Sequence, residues 1–130
     1  MPEEQKKTVL IAEDDPDIAI TLQVAFQSQG LATIVVPNGK KALEEIEKAK
    51  PSLVISDILM PVMNGFKLCE SIKNDNKTSK IPVILLTAVY RQEHHIDMGF
   101  KYGADAYFSK PFAVERVVEV SLKLIDQFGS

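Results

Sequence analysis

Apolar residues along this chain fall into short continuous runs, separated by stretches in which they recur every three or four positions. The runs are Val9 to Ala12, Ala32 to Val36, Leu53 to Ile55, Val83 to Leu86 and Ala106 to Phe108. They predict five short strands, four of which read as the aliphatic segments that a parallel sheet buries on both faces.

The intervening stretches predict five helices. The first starts at Asp15-Pro16, an N-cap followed by proline at the first helical position, carries Ile18, Leu22, Ala25 and Phe26 on one stripe, and ends at Gly30. The second runs from Asn38-Gly39 with Ala42, Ile46 and Ala49 inward and stops at Pro51, and the third follows Asn64-Gly65 with Phe66, Cys69 and Ile72. The fourth, Arg91 to Tyr102, has the weakest stripe, Ile96, Gly99 and Phe100, and is expected to be the least firmly packed. The last, Val114 to Phe128, has a clear amphipathic face but only Ala113 where a side-chain cap would help.

Strands alternating with helices imply right-handed βαβ units and a parallel sheet covered on both sides. The expected fold is α/β, an open doubly wound five-stranded sheet in the order 2-1-3-4-5, with its site outside the carboxyl ends of strands 1 and 3. The 130 residues suit one domain, with residues 1–7 a flexible N-terminal segment.

Composition narrows the class. The 15 Lys and Arg against 18 Asp and Glu leave a formal charge of −3, without the basic excess of a nucleic-acid module. Cys69 is alone, so no intrachain disulfide or thiolate metal site forms, and a reducing cytoplasm fits best. The chain start lacks a signal-peptide pattern, and no apolar run approaches the ~20 residues of a membrane helix, so no membrane role is expected.

Candidate chemistry collects at the carboxyl ends of the strands. Strand 1 ends in Glu13-Asp14-Asp15, strand 3 in Ser56-Asp57, strand 4 in Leu86-Thr87-Ala88 and strand 5 in Ser109-Lys110-Pro111. Carboxylates brought that close repel one another unless protons or a cation offset them, and hard oxygen ligands suit Mg²⁺ better than zinc or copper. An acidic pair, a separate Asp, a Thr hydroxyl and a Lys ammonium form an inventory suited to phosphoryl transfer onto a carboxylate.

Five motifs in order, Ile11-Ala12-Glu13-Asp14-Asp15, Ile55-Ser56-Asp57-Ile58-Leu59-Met60-Pro61 with Asn64-Gly65, Leu85-Leu86-Thr87-Ala88, Gly103-Ala104-Asp105-Ala106-Tyr107 and Ser109-Lys110-Pro111-Phe112, carry a resemblance. From Thr8 to Phe128 the chain resembles the receiver domains of two-component response regulators, which share the flavodoxin-like fold. The resemblance implies that Asp57 is the phosphoacceptor. Glu13, Asp14 and Asp57 would bind Mg²⁺ together with the backbone carbonyl of Leu59, Asp14 being the more direct ligand of the acidic pair. Thr87 and Lys110 would bind phosphoryl oxygens, Ala88 would leave access to Asp57, and Lys110-Pro111 would be cis. Thr87 and Tyr107 would form a conformational switch acting on the face of the fourth helix, strand 5 and the last helix. The implied partners are a sensor histidine kinase or histidine phosphotransfer protein and a downstream protein target. The implied role is a switch and not an enzyme in the usual sense, and it involves no direct nucleic-acid binding.

Other features have plainer readings. Asp15 and Asp17 are explained by capping and the helix dipole. His94 and His95 point about 100° apart on a helix and read as a solvated face. Cys69 reads as a small buried hydrophobe. A flavodoxin-like cofactor protein would need a phosphate-cradling loop where Glu13-Asp14-Asp15 stands, and an aspartyl phosphohydrolase would need an acid where Leu59 stands. Leu59 and Val89 flank the expected path of hydrolytic water and are apolar, which predicts a long-lived phosphoryl state.

Overall fold

The computed structural model describes residues 7–87 and 103–128. The strands are β1 (Thr8–Ala12), β2 (Ala32–Val36), β3 (Leu53–Asp57), β4 (Val83–Thr87) and β5 (Ala106–Ser109). The helices among these residues are α1 (Pro16–Gln27), α2 (Gly39–Ala49), α3 (Gly65–Lys73) and α4 (Val114–Phe128). All neighbouring strands are parallel, in the order β2-β1-β3-β4-β5. Ala88, Val89, His94, His95 and the predicted helix over Arg91 to Tyr102 lie outside the described residues, as does the start of the predicted N-terminal segment.

The two-residue period of each strand divides the core. Leu10, Ala12, Val54, Val83 and Leu85 point to α2 and α3, where they meet Ala42, Ile46, Leu68, Cys69 and Ile72. Val9, Ile11, Leu53, Ile55, Ile84 and Leu86 point to α1 and α4, against Leu22, Phe26, Val117 and Ile125. Burying each large aliphatic or aromatic side chain contributes about 2 kcal/mol before entropic costs. Burial also pushes the Cys69 thiol up to about 12, so it packs as an uncharged apolar group.

One expectation needs correction. Ala32–Val36, one of the continuous aliphatic runs, is not buried on both faces: Ala32, Thr33 and Ile34 are half-buried and Val35 is exposed. β2 is an edge strand bonded only to β1, so less of its surface is covered. Continuous burial holds for β3 and β4, which are flanked on both sides.

Three helix starts follow the capping logic. The Asp15 carboxylate accepts the Asp17 N–H at 2.9 Å, the Asn38 side chain accepts Lys41 N–H at 2.9 Å, and the Asn64 side chain accepts Lys67 N–H at 2.9 Å. Asp15 and Asn38 stand just past the ends of β1 and β2, and Asn64 closes the longer β3–α3 loop, so the caps set the helix starts above the strand ends. No described helix is long and apolar enough to cross a membrane.

Candidate functional site

The register of the sheet assembles the predicted residues. Ala12 pairs with Ser56, which brings Glu13 beside Asp57. Thr87 pairs with Ser109, and the Lys110 N–H donates to the Thr87 carbonyl at 2.6 Å, so Lys110 begins where β5 ends. The Lys110–Pro111 peptide is cis. Carboxylate oxygens of Glu13, Asp14 and Asp57 all lie within 4.8 Å of one another. The Lys110 ammonium reaches Glu13 Oε1 at 3.0 Å and Asp57 Oδ2 at 3.4 Å.

The acids differ in how they are held. Glu13 is buried, its Oε1 taken by Lys110 and its Oε2 accepting the Asp15 N–H at 3.1 Å. Asp14 is exposed, with its carboxylate at the mouth of the cluster. Asp57 is buried to 6% exposure, at the floor. Burial pushes the Asp57 carboxyl above its ordinary value; Lys110 and the Ile58 N–H pull it back, and the Asp14 charge raises it further. Glu13 is likewise raised by burial and by Asp57, against the opposing pull of Lys110 and the Asp15 N–H. Among the described residues one ammonium, Lys110, contacts Glu13 and Asp57 while Asp14 stands beside them, so ionisation of all three acids leaves this cluster short of positive charge.

That deficit is the chemistry of a hard-cation site. Glu13, Asp14 and Asp57 offer oxygens only, one of them open to solvent, and the Leu59 carbonyl accepts no hydrogen bond from a described backbone N–H. The donor set fits Mg²⁺.

The β3–α3 loop holds Asp57 by its backbone, and the sequence motifs showed only part of this. Ile58 N–H donates to the Leu86 carbonyl at 2.8 Å, Gly65 N–H to the Ile58 carbonyl at 2.9 Å, and Ser56 Oγ to the Asp57 carbonyl at 2.8 Å. A Cβ at Gly65 would stand 2.9 Å from Ile58 Cα and closer still to the Asp57 carbonyl oxygen, so glycine is required by close approach. Val62 adopts φ 69, a left-handed conformation unusual for a β-branched residue, and is 75% exposed on this loop. Leu59 is also exposed.

Thr87 is buried at the end of β4. The Tyr107 hydroxyl is buried too and has no hydrogen bond of good geometry among the described residues. Burial raises the phenol, and the nearby Thr87 hydroxyl partly offsets this. The predicted switch residues are therefore neighbours. Asp15 and Asp17 stay in helix-start roles, and Asp17 instead borders a groove of about 550 Å³ in which Ile18 and Thr21 of α1 face Lys110, Pro111 and Phe112.

Known proteins give the same reading. The profile of the response regulator receiver domain matches residues 9–121. The chain is 41% identical over 117 residues to "Histidine kinase P4" of Formosa agariphila, covering 87% of this chain and 8% of that protein. It spans about half the length of other curated relatives, among them DNA-binding regulators of Mycolicibacterium smegmatis and Synechocystis. A response regulator structure from Chloroflexus aurantiacus superposes with a TM-score of 0.87 at 30% identity, covering 94% of this chain and 99% of that one. The receiver domain of a sensor histidine kinase from Pseudomonas aeruginosa, solved with a magnesium ion in its active site cleft, shares the fold at a TM-score of 0.83 and 22% identity, covering 93% and 98%. With strand order, acidic pocket and profile in agreement along most of its length, this chain belongs to the response regulator receiver domain family of two-component signalling.

Proposed function

We propose that Asp57 accepts a phosphoryl group from a phosphohistidine on a sensor histidine kinase or histidine phosphotransfer protein, and that the acyl phosphate switches the conformation of the domain. The observation that carries this reading is the gathering of Glu13, Asp14 and Asp57, two of them in contact with Lys110, at a rim whose other strand end supplies Thr87.

An Asp57 carboxylate oxygen forms the new O–P bond as the donor's N–P bond breaks, and the imidazole nitrogen leaves with the electron pair. Lys110, 3.4 Å from Asp57 Oδ2, balances charge on the phosphoryl oxygens, and the Thr87 hydroxyl hydrogen-bonds to one of them. When bound by Glu13, Asp14, Asp57 and the Leu59 carbonyl, Mg²⁺ supplies positive charge where the three acids leave a deficit. Each Glu13 oxygen already accepts a hydrogen bond, from Lys110 and from the Asp15 N–H, so the exposed Asp14 would be the more direct ligand of the acidic pair.

The switch couples through adjacency. Movement of Thr87 toward the phosphoryl group removes the polar neighbour of the Tyr107 hydroxyl and lets the ring seek a new position. The output is read by a downstream protein at a face that includes β5 and α4. The phosphodonor approaches from the groove between α1 and the β5–α4 loop, which Lys110 lines, and α1 also exposes Ile20 and Val24. The domain acts in the cytoplasm as a switch, promoting its own phosphorylation and slow hydrolysis, without contacting nucleic acid.

The test is incubation with acetyl phosphate and Mg²⁺ followed by intact-mass and peptide mapping. A single phosphoryl adduct on the Asp57 peptide, lost with EDTA and in Asp57→Asn, is expected. An adduct that forms without Mg²⁺ or survives Asp57→Asn would overturn the reading.

A further inference from the structure

The far end of the sheet carries a second cavity. Ser52 leads into β3 and Ile81 stands two residues before β4, whereas Asp57 and Thr87 end those strands, so about 16 Å of strand separates this cavity from the phosphoacceptor. Its volume is about 480 Å³, within the range of small-molecule pockets. Ile46, Pro51, Ile81 and Phe128 form an apolar lining, and Phe128 is left 52% exposed at the end of α4.

Cations surround that lining. Lys50, Lys77 and Lys80 border the cavity, and none pairs with a carboxylate among the described residues, although Glu47 and Asp75 share the same rim. Elsewhere exposed lysines such as Lys41, Lys67 and Lys123 each reach a carboxylate. Asp75 directs Oδ1 instead to the Lys77 N–H at 2.9 Å, closing its own turn. Lys50 holds φ 49 and ψ 62, the left-handed helix stop that glycine or asparagine ordinarily fills. A lysine placed there accepts backbone strain and adds a charge to the rim.

We propose that this cavity binds a small amphipathic carboxylate, its alkyl or aryl body on Ile46, Pro51, Ile81 and Phe128 and its anionic head among Lys50, Lys77 and Lys80. The charge excess of the rim selects the head, and the apolar lining selects the body. The site is independent of the phosphorylation chemistry, since it shares no residue with it.

Octanoate is the probe, titrated into the ¹⁵N-labelled protein, with 1-octanol as the uncharged control. Saturable amide shifts at Ile46, Ser52, Thr78 and Ile81 are expected, with octanol at least about tenfold weaker. The Lys50→Gly, Lys77→Gln, Lys80→Gln triple variant should lose about tenfold in affinity with an unchanged or raised melting temperature, because glycine suits the left-handed position. Octanol binding as well as octanoate, affinity in the triple variant within twofold of the parent, shifts centred on Ile20 and Val24 of α1, or no saturation would each overturn the proposal.

Discussion

Two lysine–carboxylate pairs of equal length stand at opposite ends of the sheet, Lys110 with Glu13 and Lys73 with Asp105, both at 3.0 Å. Around Lys73 and Asp105 both charges are matched. The Lys73 ammonium donates to the Ser79 carbonyl at 3.3 Å, the Ile81 carbonyl at 2.7 Å and Asp105, and the same Asp105 oxygen accepts the Val83 N–H at 2.8 Å. One positive charge meets one negative charge, and the pair ties the end of α3, the α3–β4 loop and the approach to β5 together. At the carboxyl end, among the described residues, one ammonium contacts two buried carboxylates, both raised by burial, with the exposed Asp14 carboxylate as a third beside them. A balanced network fixes structure, while an unbalanced one leaves the pocket needing a cation and ready for chemistry.

The comparison is broken most severely at Lys110. Lys110→Met removes the only described ammonium in contact with two buried acids and should cost about 3 kcal/mol at pH 7, read by urea unfolding, together with most of the phosphorylation rate. The stability loss should shrink at pH 4, where the acids accept protons. Lys73→Met should cost about 2 kcal/mol, less because this pair is more exposed and Asp105 keeps the Val83 N–H, and the acetyl phosphate reaction should keep its rate. If Lys73→Met abolished phosphorylation as well, the two ends would not divide into structure and chemistry.

Smaller effects sharpen the picture. Leu59→Asn places an amide beside Asp57 able to orient water, and should shorten the acyl phosphate lifetime about tenfold in a chase after removal of acetyl phosphate. Asp57→Asn should raise stability by about 1 kcal/mol at pH 7 in thermal unfolding. The folded Asp57 carboxyl lies above its ordinary 3.8, so its favourable contribution is fully present below that value and is lost as pH rises through the folded value. The gain from Asp57→Asn should therefore fade as pH drops toward 4.

Much of this was legible in the chain because its causes are local. Strand runs, caps at Asp15, Asn38 and Asn64, and motif residues at strand ends all leave marks within a few positions. Parallel order then brings Glu13, Asp57, Thr87 and Lys110 to one rim. The exposure of Val35 was not legible, because an edge strand can carry the same aliphatic run as a central one. Nor was the Lys73–Asp105 clamp: its partners are 32 positions apart, and Lys73 reads on its own as one more charge ending a helix. The contact of Gly65 with the Asp57 backbone also arises only when the loop folds back, although Asn64-Gly65 marked the place.

The most direct measurement of the charge deficit is thermal unfolding of the parent and Asp57→Asn with and without Mg²⁺ at pH 7. Without Mg²⁺ the variant should melt higher, and Mg²⁺ should raise the parent several degrees while moving the variant much less, closing or reversing the gap. Equal Mg²⁺ shifts in both proteins, or a parent already more stable without the ion, would contradict the claim that Asp57 completes a cation site held short of positive charge.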